Sequence, residues 1–205
     1  MRANRVKPRL AIVLSGWLLM SCLLPGMIPL NREAEQSLPV METDIEAMIE
    51  SLQGGDWVYL EALAEEQYTD EDYARPGTIT YTVHIEDNRP VFFNYAWCTT
   101  TEEILQQNFE HIQVTLSIHG KELEEDVIHP VTVTRPDGFV CLSLGTLLSE
   151  WLPGEYKLEV IATFDEDIND GAADFEAGDY RFIYHVTVEE QRKEGVEGAF
   201  FSVSP

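Results

Sequence analysis

Eight oxygen-bearing side chains crowd the stretch from Phe164 to Tyr180, FDEDINDGAADFEAGDY: Asp165, Glu166, Asp167, Asn169, Asp170, Asp174, Glu176 and Asp179. Hard divalent cations take several oxygen ligands from a short span, and turns rich in Asp and Gly supply them. Asp165, Asp167, Asn169, Asp170 and Glu176 are therefore candidate calcium ligands, and calcium is the one cofactor the sequence suggests. The competing reading is a solvated acidic hairpin loop in which Asp170-Gly171 makes the turn. A bound cation would offset repulsion among these carboxylates and stiffen the loop.

Other reactive constellations are missing. Asp165, Asp167, Asn169 and Glu176 fall on positions 1, 3, 5 and 12 of an EF-hand loop, but position 6 is Asp170 where that turn requires Gly. The flanking pattern is that of strands, whereas an EF-hand needs helices, so the motif is excluded. His84, His111, His119, His129 and His185 show no HxH or HExxH spacing for zinc. No phosphate-binding glycine loop and no G-x-S-x-G nucleophile motif occurs. Glu102/Glu103 and Glu124/Glu125 are adjacent pairs, whereas glycoside hydrolysis needs two carboxyls facing each other across a cleft.

The first nine residues carry Arg2, Arg5, Lys7 and Arg9, and an uncharged run follows from Leu10 to Leu30. A basic segment before an apolar one is the pattern of an export signal. Leu19-Met20-Ser21-Cys22 resembles a bacterial lipobox, which implies cleavage before Cys22 and acylation of its sulfur. Met20 is bulkier than that pattern prefers, and Leu23-Leu24 follow where polar residues are usual. Two alternatives stay open. The run is just long enough to span a bilayer, although Pro25, Gly26 and Pro29 interrupt it. An ordinary cleavage near Asn31 is the other. All three endings place the chain from about residue 35 outside the cytoplasm.

That location bears on the remaining sulfurs. With Cys22 lipidated or removed, Cys98 and Cys141 form an even pair in separate β segments with 42 residues between them. A bridge closing such a loop stabilises by ~4 kcal/mol in the chain-entropy treatment. Two buried thiols, or a cysteine nucleophile with a nearby His, are the other readings of the pair.

Thirty-seven acids against 13 Lys and Arg give a net charge of −24, and loss of the four basic residues of the leader would take it to −28. A polyanion of this density is repelled by phosphate backbones and by anionic headgroups. Nucleic acid is thus excluded as a partner, and membrane attachment comes only through the leader or its lipid.

Residues 1–21 read as signal peptide, 22–42 as tether and 43–75 as a helical segment. In the last, Thr43 and Glu46 have capping-box spacing, and Ile45, Met48, Ile49 and Leu52 share a face. Gly54-Gly55 stops that helix. Asp56 then caps a second, with Trp57, Leu60, Leu63 and Ala64 on one side, to make a helical hairpin. From Thr78 the period becomes two: Ile79–Ile85, Val91–Trp97, Ile112–Ile118, Val131–Thr134, Phe139–Leu144, Tyr156–Phe164 and Tyr180–Val188 read as strands. Asp87-Asn88-Arg89-Pro90 supplies a turn, and a short helix is predicted after Cys98 from Thr99/Glu102 or Thr100/Glu103. Residues 189–205 lose the pattern and read as a flexible tail, with Phe200-Phe201 free to dock.

Six to eight strands without βαβ rhythm predict a mainly β chain whose residues 76–188 form an antiparallel sandwich. Leu152-Pro153-Gly154-Glu155-Tyr156-Lys157-Leu158 resembles the tyrosine corner of immunoglobulin-like and fibronectin-like domains, and Gly178-Asp179-Tyr180-Arg181-Phe182 repeats its order 24 residues later. The resemblance implies an immunoglobulin-like β-sandwich and no catalytic residues, since such folds carry many functions. Trp97 lies beside Cys98, not on a strand between bridged ones, so a bridge here departs from the immunoglobulin pattern. The functional expectation is an envelope-attached, non-enzymatic domain that binds an extracytoplasmic protein or glycan. A secreted hydrolase with carboxylates converging in space, and a structural subunit docking through 43–68, are the alternatives.

Overall fold

The computed structural model describes residues 37–86 and 89–190. The leader with Cys22, the turn residues Asp87 and Asn88, and the tail with Phe200-Phe201 lie outside them. Among the described residues no helix is long and apolar enough to cross a membrane.

The chain is mainly β, and each alternating segment forms a strand because one of its faces is apolar throughout. In β3 (Gly77–Ile85), Ile79, Tyr81, Val83 and Ile85 are buried while Thr78, Thr80 and His84 are exposed. In β4 (Val91–Thr99), Val91, Phe93, Tyr95, Trp97 and Thr99 turn inward. One five-stranded sheet centres on β8 (Val140–Ser149), which pairs with β4 from Val91↔Leu148 to Thr99↔Val140. The other side of β8 is shared by β7 (His129–Thr134) and β1 (Val40–Met41). β2 (Val58–Tyr59) joins the start of β4.

The second sheet has the order β3, β12 (Gly178–Val188), β9 (Gly154–Phe164), β5 (Ile112–Ile118) and β6 (Lys121–Glu122). A two-stranded hairpin, β10 (Ile168–Asn169) with β11 (Asp174–Phe175), interrupts the path from β9 to β12. Both large sheets feed one core, and rings meet across it: Phe93 with Tyr184, Tyr95 with Phe182, Trp97 with Phe164. Leu158 is fully buried there, so Leu158→Ala forfeits about 2–5 kcal/mol of transfer and cavity free energy.

An all-antiparallel arrangement does not hold. β3 runs parallel to β12 along its length, from Gly77↔Tyr180 to Ile85↔Val188, and β2 is parallel to β4. Alternation identifies a strand but is silent on its neighbour, and here the first long strand lies beside the last.

The helical hairpin expected over 43–75 also fails. α1 (Ile45–Gly54) forms, capped by Asp44, whose carboxylate accepts from the amides of Glu46 and Ala47, and ended by Gly55 at φ 81°. Its buried face is narrow: Met48 meets Phe92 and Leu147 on the outer side of the first sheet, while Ile45 and Ile49 stay 39% and 38% exposed. Beyond it Val58 and Tyr59 prefer the vacant start of the β4 edge to a helix, and only a 3₁₀ turn at Glu61–Leu63 follows. α2 (Asp70–Tyr73) is one turn long. α3 (Glu102–Phe109) does follow Cys98, but its cap is Thr101, two residues later than the first expected box and one later than the second. The last residues of the expected tether, Val40 and Met41, are a strand.

Candidate functional site

The two sulfurs singled out above are bonded. Cys98 and Cys141 stand directly opposite each other on β4 and β8, Cα atoms 4.0 Å apart, in a disulfide on the outer face of that sheet. It therefore ties neighbouring strands of one sheet, where the immunoglobulin bridge spans two. The thiol and nucleophile readings of this pair are ruled out.

The acidic stretch closes on itself. Asp170 Oδ1 accepts from the amides of Ala172 and Ala173 at 2.7 Å, and Asn169 Oδ1 accepts from Gly171 at 2.7 Å. Asn169 Nδ2 donates to Asp174 Oδ1, and Asp167 Oδ1 accepts from the Ala177 amide. Asp165 turns away to His111 Nδ1 at 2.9 Å, and Glu176 faces Arg75 at 3.8 Å. The five candidate calcium ligands thus serve separate partners. Among the described residues no three His, Cys, Asp or Glu side chains stand together as a metal site. The turn at Asp170-Gly171 is present, with Gly171 at φ +95°. A Cβ there would lie 1.8 Å from Thr100 Oγ1, so this glycine is what lets the loop settle on the strand end. The Asp165 hydrogen bond, then the nearby Glu166, raises the His111 pKa above its ordinary value.

Both tyrosine openings behave as their sequence order implies. Tyr156 Oη donates to the Leu152 carbonyl at 2.8 Å and Tyr180 Oη to the Glu176 carbonyl at 2.9 Å. They begin adjacent strands, β9 and β12, so the repeat reflects two like corners.

A further site was not singled out in the sequence. Beside β4, past the end of β2, lies a cleft of about 330 Å³. Tyr95, Phe182 and Tyr184 line its inner side, Tyr59 and Val133 its outer rim, and Glu61 and Tyr73 its mouth. The rim residues are each 46% exposed. Arg135 also lines the cleft and is bound by Asp137 at 2.6 Å. The rings hold one another: Tyr73 stacks on Phe182 at 6.2 Å, and Tyr81 on Tyr184 at 4.8 Å.

One carboxylate organises the phenols. Glu61 Oε1 lies 2.9 Å from Tyr73 Oη and 3.0 Å from Tyr81 Oη, and the two hydroxyls are 2.7 Å apart. Two phenolic protons thus serve three contacts. Burial, reinforced by Glu61, pushes the Tyr73 pKa up to about 12 and raises Tyr81 further; burial also raises Tyr95 and Tyr184. The phenols remain neutral donors throughout the neutral range, unsuited to act as bases or nucleophiles. Aromatic faces next to a carboxylate instead suit binding of apolar groups, sugar rings or cations. The signal in the sequence is clustering: five of the eight tyrosines, Tyr59, Tyr68, Tyr73, Tyr81 and Tyr95, fall within 37 residues.

No family model, curated protein or solved structure matches this chain.

Proposed function

We propose that this chain is an extracytoplasmic, envelope-attached domain that binds a partner without transforming it. The observation that carries the reading is the aromatic cleft beside β4, which offers ring faces and a carboxylate acceptor instead of a poised nucleophile. Attachment through lipid on Cys22 rests on the LMSC motif and the basic–apolar leader before it.

The scaffold reads as a variant of the immunoglobulin-like sandwich. The order β4-β8-β7 matches strands B-E-D, β12-β9-β5 matches G-F-C, and β6 stands where the variable type adds C′. Tyr156 opens the F-like strand with its hydroxyl on an upstream carbonyl, as the tyrosine corner does. The departure is the disulfide within one sheet.

Intact-mass analysis of the protein recovered from the producing cell tests the location. The expected species begins at Cys22, carries acyl mass and gains two hydrogens on reduction. A full-length cytosolic chain with free thiols would overturn the reading. Binding is tested by co-sedimentation of that mature protein with cell-envelope fragments, where Tyr59→Ser at the cleft rim is expected to weaken retention at least fivefold. Hydrolysis of envelope glycans by the wild type would move the assignment to the hydrolase alternative.

A further inference from the structure

β4 is an edge strand for most of its length. β2 pairs with it only at Val91 and Phe92, and the Leu60 amide adds a last bond to the Phe92 carbonyl at 3.1 Å. The N–H and C=O of one residue leave a strand on the same side, and that side repeats every second residue. Phe92 points its groups at β2, so Asn94, Ala96 and Cys98 present theirs in the same direction, and the odd-numbered residues bond β8. Among the described residues no strand pairs with β4 there. The same three residues line the cleft.

We propose that this edge takes an extended, basic peptide segment of another protein as an added strand, collinear with β2. The inference rests on the binding-domain reading above and names the partner class. An added strand satisfies the open main-chain groups, and its side chains alternate between the two walls. One set enters the inner cleft against Tyr95 and Phe182, and the other lies on the outer face beside Tyr59, Val133 and the disulfide. The preference for base follows from charge. Glu61 sits at the mouth with its Oε1 on two phenols, ring faces surround it, and the chain carries −24. Lys and Arg side chains place an apolar stem on rings and a cation at a carboxylate, which suits both features. Arg135, the one base in the lining, is already matched by Asp137.

The test is fluorescence anisotropy with the mature chain, its bridge intact, and a labelled hexapeptide of alternating Val and Lys. An otherwise identical peptide with Glu for Lys is the control. Saturable binding of the basic peptide, at least tenfold tighter than the acidic one and weakened severalfold by added salt, is the expected result. Ala96→Pro deletes an edge donor on the side away from β8, a position where proline is tolerated, and is expected to reduce affinity at least tenfold. Glu61→Gln is expected to shrink the basic-over-acidic preference. Methylating alternate peptide amides examines the same bonds from the ligand and does not depend on the fold of any variant; one of the two methylated registers should lose binding. Equal affinity of both registers and of Ala96→Pro overturns the proposal. So does a stable dimer of the chain that Ala96→Pro dissociates, which makes a second copy the occupant. Envelope retention with no binding of either peptide sinks the peptide assignment alone and leaves the binding-domain reading in place.

Discussion

β3 and β4 each border one of the sheets, and they meet their surroundings in opposite ways. Along β3 the segment after the 3₁₀ turn covers the open groups one by one. Glu65 donates its amide to the Thr82 carbonyl at 2.9 Å, Glu66 accepts from both the amide and the hydroxyl of Thr82, and Tyr68 Oη reaches the Thr80 carbonyl at 2.7 Å. Those bonds to Thr82 hold the Glu66 carboxyl below its usual pKa. β4 receives such cover for two residues and then runs beside a cleft. An uncovered edge invites pairing by any extended chain, and proteins usually blunt it. Here one edge is blunted by side chains, and the other is bordered by rings, its strand tied from behind to β8 by a disulfide. Among the described residues β3 is thus closed to a further strand over Thr80–Thr82, whereas β4 is open past Phe92.

Removing the bridge should have the largest effect. Cys98→Ser with Cys141→Ser is expected to lower stability by ~4 kcal/mol in denaturant unfolding, and to loosen β4 more than β3 in hydrogen exchange. Equal loosening of both edges would break the contrast. Next, Gly145 faces Asn94 so closely that a Cβ would lie 2.4 Å from the Asn94 Cβ and 2.5 Å from the Phe93 carbonyl. Gly145→Ala should therefore cost about 1–3 kcal/mol, partly regained in a Gly145→Ala/Asn94→Gly double variant measured by thermal melting.

On the covered side, Tyr68→Phe deletes one bond to β3 and should cost about 0.5–1.5 kcal/mol, with no change in peptide affinity at β4. Glu66→Ala should speed exchange of the Thr82 amide severalfold while the amides of β9 are unmoved. The smallest effect concerns neither edge and serves as a control. The His111 pKa is raised in the fold, so its contribution is fully present below the ordinary histidine pKa and disappears as pH rises through the folded value. The melting-temperature gap between wild type and His111→Gln should therefore narrow as pH increases from about 5.5 to 8.

Much of the scaffold was legible. Seven alternating runs became strands, because one-sided burial imposes a period of two that the sequence must carry. The disulfide followed from parity, and the two tyrosine corners from Gly-acid-Tyr order. What stayed hidden is long-range. The parallel pairing of β3 with β12 depends on which edges remain free after the other strands assemble, and no local pattern encodes that. Trp57 and Leu60 sit at helical spacing, yet Trp57 leads into β2 and Leu60 only opens the 3₁₀ turn, because the start of β4 offered Val58 and Tyr59 a partner. The cleft was missed because its residues come from β2, a 3₁₀ turn, α2, β4, β7, β8 and β12, each with an ordinary role when read alone. In the acidic stretch the turn at Asp170-Gly171 was legible from its residue types, while the way Asp167, Asn169 and Asp170 accept from nearby amides was not.

The neighbourhood of β3 and β12 has a consequence for how the protein is made. Gly77 faces Tyr180, so the second sheet cannot be completed until β12 has been synthesised. A nascent chain halted before residue 178 would leave β9 paired only with β5, and β3 bonded only to the segment that covers its far side. Closure of the second sheet thus waits on its latest strand, and the pieces made earlier stay unsealed until it arrives.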